Sequence, residues 1–185
     1  MSAVIVMLRA VNVGGHNKIK MDALRALCES LGFENVQTYV QSGNVIFTTQ
    51  ERQLDRVARQ IGDAIERQCG FRPDVILRTS SEMREVVRRN PFSTRQDVEP
   101  GKLIVVFLAA DPGPEARDKA LAIKVAPEEL KMEAREYYIY FPNGQGQSKL
   151  PVAAIERALK TPGTGRNWRS VTKMLELAEE IEATR

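Results

Sequence analysis

The chain has 185 residues, of which 43% are hydrophobic and 28% are charged, so its composition is that of an ordinary globular protein. The formal net charge is +3 with acidic and basic residues interleaved, which argues against a dedicated nucleic-acid-binding protein. No apolar run approaches the roughly 20 residues that cross a bilayer, no secretion signal is recognisable, and the two cysteines lack metal-like spacing, so we expect a cytoplasmic protein with reduced thiols and no membrane partner.

The first half of the chain predicts the order strand, helix, strand, strand, helix, strand. Short apolar runs indicate strands, and apolar residues at helical spacing, closed by Gly32 and Gly70, indicate amphipathic helices. The two helix exits, SLGFENV and QCGFRPDV, both place a phenylalanine after the glycine. This order is the split βαβ, or ferredoxin-like, pattern. The predicted strands are Val4–Leu8, Val36–Val40, Val45–Thr49 and Val75–Leu77, and the predicted helices are Met21–Leu31 and Leu54–Cys69.

The second half repeats this theme more loosely. We predict strands at Leu103–Leu108, Leu130–Glu133 and Glu136–Phe141, and helices at Pro114–Ile123, from Pro151, and around Trp168–Ile181. The predicted fold class is therefore α+β, with duplicated ferredoxin-like subdomains whose mostly antiparallel sheets are covered by helices. We expect one subdomain at residues 1–80, a helix and a polar linker at 81–102, and a second subdomain with a C-terminal helix at 103–185.

The connection RAVNVGGHNKIK, residues 9–20, is the first candidate site. A strand, a glycine-containing turn and a helix can expose backbone N–H groups that cradle an anion, and Gly14 and Gly15 permit its close approach. The spacing matches neither the dinucleotide fingerprint nor the P-loop, so a purely structural turn is an equal interpretation. Positive charge could come from Arg9, His16, Lys18 and Lys20.

The segment YVQSGNVIF, residues 39–47, is the second candidate. Ser42 and Asn44 lie at a predicted hairpin, where their side chains could hydrogen-bond a ligand. Such residues also make turns without any ligand, because their side chains hydrogen-bond the nearby backbone. Both interpretations stay open at this point.

The segment TPGTGRNWRS, residues 161–170, is the third candidate. Two glycines precede Arg166, whose planar guanidinium matches a carboxylate or a phosphate. Asn167 or Thr164 could cap the helix that follows. Trp168 suits either the core or a stacking platform for a base or ring. The alternative is a glycine-rich helix start with a surface arginine.

The sequence lacks the residues that several common kinds of catalytic site require. With one histidine and no Cys-His cluster, a zinc site or a Cys-His nucleophile is disfavoured, and no Gly-x-Ser-x-Gly elbow is present. The sequence therefore predicts no metal and no cofactor. If a reaction occurs, His16 is the first candidate acid or base.

The stretches LRAVNVGG, YVQSGNVIF and GRNWRSVTKMLEL together resemble a bacterial family, domain of unknown function sixteen-ninety-seven. The resemblance extends over essentially the whole chain, with one departure at Ser170, where the family pattern usually has threonine. It implies two ferredoxin-like subdomains and no particular activity, and it suggests that the three stretches share one site. The family pattern corresponds here to Arg9, Asn12, Gly14, Gly15, Ser42, Gly43, Asn44, Arg166, Asn167, Trp168, Val171 and Lys173.

The leading functional hypothesis is a small anionic ligand, such as a nucleotide or a phosphorylated or carboxylated metabolite, bound between the glycine-rich loops. If the loops converge, a locally positive pocket would be formed by Arg9, Lys18, Arg166 and Lys173. One alternative is an RNA or single-stranded DNA binding module, which the weak basic excess makes less favoured. Another is a protein-interaction module without a small ligand.

Overall fold

The computed structural model describes residues 1–184 and divides into two compact units. The first unit consists of Met1–Arg84 together with the C-terminal segment that begins at Lys173, and the second is Glu85–Thr172. Helices and two four-stranded antiparallel sheets make up the structure, so the predicted α+β class is confirmed.

The first unit is built on a sheet in the order β2-β3-β1-β4. The glycines predicted to end its helices do so, because Gly32 and Gly70 adopt φ of +83° and +77°. Phe33, directly after Gly32, stacks on Phe47 with ring centroids 4.2 Å apart. The elements are β1 Ser2–Leu8, α1 Met21–Ser30, β2 Glu34–Tyr39, β3 Asn44–Thr49, α2 Leu54–Cys69, β4 Val75–Thr79 and α3 Ser80–Arg88.

The core of the first unit lies between one face of this sheet and the helices α1 and α2. Val4, Val6 and Leu8 alternate along β1 and are buried in that core, as period-two geometry requires. Both thiols are free, with Cys28 buried and Cys69 half-buried. Burial raises the pKa of the Cys28 thiol to about 12, so this thiol stays protonated at neutral pH.

The second unit has the corresponding strand order, β6-β7-β5-β8. Its apolar cluster joins Val106 and Leu108 of the central strand to Ile155 and Leu159 of a covering helix. The elements are β5 Leu103–Leu108, α4 Pro114–Leu121, β6 Glu129–Glu133, β7 Glu136–Tyr140, α5 Val152–Leu159 and β8 Gly163–Asn167. The last helix, α6 Trp168–Ala183, begins in this unit and continues into the C-terminal segment.

The segment 163–167 is a strand, which corrects the expectation of a glycine-rich loop before the helix. As β8 it pairs antiparallel with β5, where Gly165 is opposite Val106 and Gly163 is opposite Leu108. A Cβ at Gly163 would lie 2.9 Å from a methyl group of Val106. Glycine has low strand propensity, but here only a residue without a side chain allows the strands to pair beside branched neighbours.

Equivalent edge strands of the two sheets each carry a buried arginine. Arg78 of β4 is opposite Ile5, and Arg166 of β8 is opposite Val105. Each guanidinium also donates to the carbonyl oxygen of the residue before it, at 2.8 Å for Arg78 and 2.9 Å for Arg166. The shared strand order and these matched arginines agree with the ferredoxin-like duplication, which stays an interpretation.

Candidate functional site

The opening connection forms a miniature hairpin. Val13 and His16 make an antiparallel bridge, and the His16 amide donates to the Val13 carbonyl oxygen at 3.1 Å. Gly14 and Gly15 between them have φ of +59° and +79°. Positive φ at both central residues is the type I′ arrangement, which favours glycine at both positions, so the turn itself accounts for the paired glycines.

Asn12 fixes this hairpin to the next one. Its side-chain oxygen accepts from the Ile19 amide at 2.9 Å, and its side-chain nitrogen donates to the Ile19 carbonyl oxygen at 3.0 Å. The same nitrogen donates to the carbonyl oxygen of Gln41 at 2.9 Å. Both amide hydrogens of Asn12 are therefore occupied by protein oxygens. Asn12 positions the two loops against one another.

The turn between β2 and β3 packs directly under the opening connection. The Leu8 amide donates to the Gly43 carbonyl oxygen at 3.0 Å. Asn44 is fully buried and donates to the Tyr39 carbonyl oxygen at 3.0 Å and to the Ser42 hydroxyl at 2.9 Å. The first two sequence motifs thus meet in the first unit, where Ser42 and Asn44 shape the turn.

An open cleft of about 460 Å³ lies where these two loops meet. Lys18 and Lys20 are exposed on its wall, and neither makes an ion pair with another residue in 1–184. By contrast, Arg9 has Asp74 as a partner, with 3.5 Å between the guanidinium and the carboxylate. The lining residues are Asn12, Gly15, Lys18, Ile19, Lys20 and Gln41.

His16 is exposed at the tip of the small hairpin. Over the described part of the chain, no side chain hydrogen-bonds its ring, so no protein group orients it for proton transfer. Within residues 1–184, no group of three or more His, Cys, Asp or Glu side chains could hold a metal ion. Every described helix is also too short or too polar to cross a lipid bilayer.

Arg166 of the third motif is buried in the second unit and is 6% exposed. Its guanidinium donates to the Thr164 hydroxyl at 2.6 Å and to the Gly165 carbonyl oxygen at 2.9 Å. Desolvation by burial lowers the pKa of Arg166 to about 10, so the side chain still carries its charge at neutral pH. The alternative interpretation of Arg166 as a surface arginine is therefore wrong, because the side chain is buried and hydrogen-bonds its own strand.

The residues after Arg166 organise the start of α6. The Asn167 side chain accepts from the Arg169 amide at 3.0 Å, so Asn167, rather than Thr164, supplies the predicted helix cap. Asn167 also donates to the Gly101 carbonyl oxygen at 2.9 Å. Trp168 is half-buried beside a small cavity of about 160 Å³ that Phe92 also lines.

Lys173 lies in the C-terminal segment of the first unit. Its ammonium group forms an ion pair with Glu176 at 2.9 Å, and this hydrogen bond raises the pKa of Lys173. A ligand that used this cation would have to compete with the Glu176 carboxylate.

Ile19 and Gln41 are the two cleft residues that the sequence did not single out, and Gln41 illustrates why. Its contribution is a backbone carbonyl oxygen held by Asn12, and no side-chain pattern signals such a contact. The sequence signal that comes nearest is the residue type of Asn12, because asparagine in a loop often hydrogen-bonds nearby backbone, and in the structure it does so with a φ of +55°.

Comparisons with known proteins agree with this architecture. The solved structure of the conserved bacterial protein SP0830 from Streptococcus pneumoniae is similar, with a TM-score of 0.72 and 22% sequence identity, over 96% of this chain and 98% of that chain. At that identity the likeness shows the fold alone. No curated protein matches. The family model described as protein of unknown function DUF1697 matches residues 1–138, and the chain therefore belongs to that family.

Proposed function

We propose that the first unit binds a small anionic ligand in the cleft between the opening hairpin and the β2–β3 turn. The ligand class is a phosphorylated or carboxylated small molecule, nucleotides included. One observation carries the proposal: Lys18 and Lys20 stand at an open cleft without any ion pair among residues 1–184. Unpaired ammonium groups beside a concave surface raise the local concentration of anions.

The walls of the cleft support this assignment. Nothing lies within 4 Å of the position that a Cβ at Gly15 would take, so a ligand can reach the backbone there. Asn12 holds both walls through bonds of 2.9–3.0 Å, which reduces the ordering that a ligand would have to impose. In this proposal the ammonium groups bind the anion, while Asn12 and Asn44 keep the cleft in shape.

The third motif has a different role in this proposal. The Arg166 guanidinium already donates to protein oxygens, and Lys173 already has Glu176 as a partner. We therefore assign Arg166 and Asn167 to holding β8 and the start of α6 in place. His16 stays the candidate acid or base if the bound ligand reacts, and the ligand would then have to orient its ring, because no side chain among residues 1–184 does so.

A thermal-shift screen tests the proposal with nucleotides, phosphorylated metabolites, organic acids and short oligonucleotides. A ligand present at about 100 times its Kd adds roughly 2.7 kcal/mol of stability. For a chain of this size we expect the melting temperature to rise by roughly 5–10 °C. The double variant Lys18→Ala/Lys20→Ala should lose this response, because it removes both ammonium groups from the cleft.

The matched control is Lys124→Ala/Lys149→Ala, which removes two exposed lysines of the second unit that also make no ion pair with the described residues. It should respond like the unmodified protein. Equal responses in the two double variants would contradict the site. A response confined to oligonucleotides, with binding that weakens steeply as salt is added, would favour a nucleic-acid-binding module instead. If no compound in the screen raises the melting temperature, a protein-interaction module would be favoured.

A further inference from the structure

Lys18 and Lys20 lie on the same side of an extended segment that leads into α1. Lys20, the residue before the helix, has φ of −71° and ψ of 141°, which is extended backbone. Ile19 is 5% exposed, whereas the lysines on either side of it are exposed and line the cleft. Side chains of an extended chain point alternately to its two sides, so the burial of Ile19 places the two lysines together.

Asn12 fixes the backbone between these lysines. Its side-chain oxygen accepts from the Ile19 amide at 2.9 Å, and its side-chain nitrogen donates to the Ile19 carbonyl oxygen at 3.0 Å. The amide and the carbonyl group of Ile19 thus face the same partner, as they do for a hydrogen-bonded residue of a β-strand. At the rise of an extended chain, the Cα atoms of Lys18 and Lys20 are roughly 6–7 Å apart.

The residues that line the cleft carry two positive charges and no negative charge in the part of the chain that the structure describes. Besides the two lysines, the lining consists of an asparagine, a glutamine, a glycine and an isoleucine. The acid that follows next in sequence, Asp22, is exposed and lies outside this lining. Neither lysine forms an ion pair within residues 1–184, so both charges are available to a ligand.

Resting on the proposed function, we infer that the ligand carries two anionic groups joined by a short link, as a diphosphate does. Each ammonium group then binds an anionic group of its own. Convergence of both lysines on one phosphate would bring two like charges together, which costs part of the attraction. Inorganic pyrophosphate and the diphosphate part of a nucleotide share this chemistry. The inference narrows the ligand from anions in general to compounds with paired anionic groups.

Calorimetric titrations at low salt with two pairs of probes test this inference. Pyrophosphate has two phosphate groups where inorganic phosphate has one. Sulfate and 1,2-ethanedisulfonate carry the same total charge, on one group and on two groups respectively, so this pair separates the number of groups from the charge. We expect pyrophosphate to bind about tenfold more tightly than phosphate, and 1,2-ethanedisulfonate to bind more tightly than sulfate.

Adenosine diphosphate distinguishes the two sources of a diphosphate. Binding at least as tight as that of pyrophosphate would support a nucleotide as the ligand. Much weaker binding than that of pyrophosphate would support the free inorganic ion. Both results require the paired anionic groups that the inference names.

The single variants Lys18→Ala and Lys20→Ala test the inference from the protein side. We expect each to weaken pyrophosphate binding about tenfold, because one of the two anionic groups loses its partner. Phosphate binding should weaken far less, because a single phosphate can use the lysine that remains. Both lysines are exposed, so the melting temperatures should not change. Lys124→Ala is the matched control, because it removes an exposed lysine of the second unit and should leave every affinity unaltered.

The outcomes separate this inference from the proposed function. Equal binding of phosphate and pyrophosphate, or of sulfate and 1,2-ethanedisulfonate, would overturn the inference and leave the anion site standing. A single-lysine variant that binds pyrophosphate as tightly as the unmodified protein would also overturn it, because that lysine would then hold no anionic group. Absence of binding by every probe would overturn the proposed function, and the inference would fail with it.

Discussion

Replacement of Gly43 by alanine is expected to destabilise the protein by about 2–4 kcal/mol. A Cβ at this position would lie 2.4 Å from a methyl carbon of Val11 and 3.0 Å from the Cβ of Leu8. Gly43 also has φ of +77°, which an alanine adopts only with strain. The turn and the opening connection would have to move apart, so we expect the melting temperature to fall by roughly 5–15 °C.

Gly15→Ala is the matched control for this prediction. Gly15 has φ of +79°, almost the same as Gly43, but nothing lies within 4 Å of its would-be Cβ. The control therefore carries the backbone strain without the clash, and we expect a loss of about 1 kcal/mol. Thermal or urea unfolding of both variants measures the difference. Equal losses of stability in the two variants would mean that the close contact of Gly43 with Val11 and Leu8 does not restrict this position to glycine.

Arg166→Ala is expected to cost about 2–4 kcal/mol of folding stability. The substitution removes a large buried side chain and leaves the Thr164 hydroxyl and the Gly165 carbonyl oxygen without the guanidinium that donates to them. Arg166→Lys keeps the charge but lacks the planar fork, so it should recover only part of the loss. Urea unfolding monitored by circular dichroism measures all three proteins.

Arg169→Ala supplies the control for Arg166, because Arg169 is exposed on the first turn of α6. We expect a change within about 0.5 kcal/mol. If Arg166→Ala were as harmless as Arg169→Ala, Arg166 would have no structural role. That result would favour the hypothesis from the sequence, in which Arg166 contacts the ligand.

The elements of this fold are predictable from the sequence wherever apolar periodicity specifies them. The helix Leu54–Cys69 and the strand Leu103–Leu108 are predicted with the bounds that the structure has. The helix has apolar residues at helical spacing and ends before Gly70, and the strand is a continuous apolar run. The strand at Gly163–Asn167 is not predicted, because two of its five residues are glycines. Pairing with β5 decides its conformation, and that contact lies some sixty residues away.

The candidate site is predictable only in part, for a related reason. Consecutive glycines do mark the opening loop, and the sequence left its turn and its anion-binding interpretations equally open. The sequence does not show whether the side-chain amides of Asn12 and Asn44 bind a ligand or hydrogen-bond the protein backbone. In the structure they hydrogen-bond the backbone that forms the cleft. Arg166 is misleading for another reason, because no residue near it in the sequence indicates that its side chain is buried.

Titration of the ¹⁵N-labelled protein with pyrophosphate, followed by its amide NMR signals, tests the central claim most directly. If the cleft of the first unit binds anions, the signals of Gly15, Lys18 and Gln41 should shift together and saturate at one common affinity. Lys18→Ala/Lys20→Ala should abolish those shifts while leaving the rest of the spectrum intact. Shifts centred instead on residues 164–168, or no saturable shift at all, would contradict an anion site in this cleft.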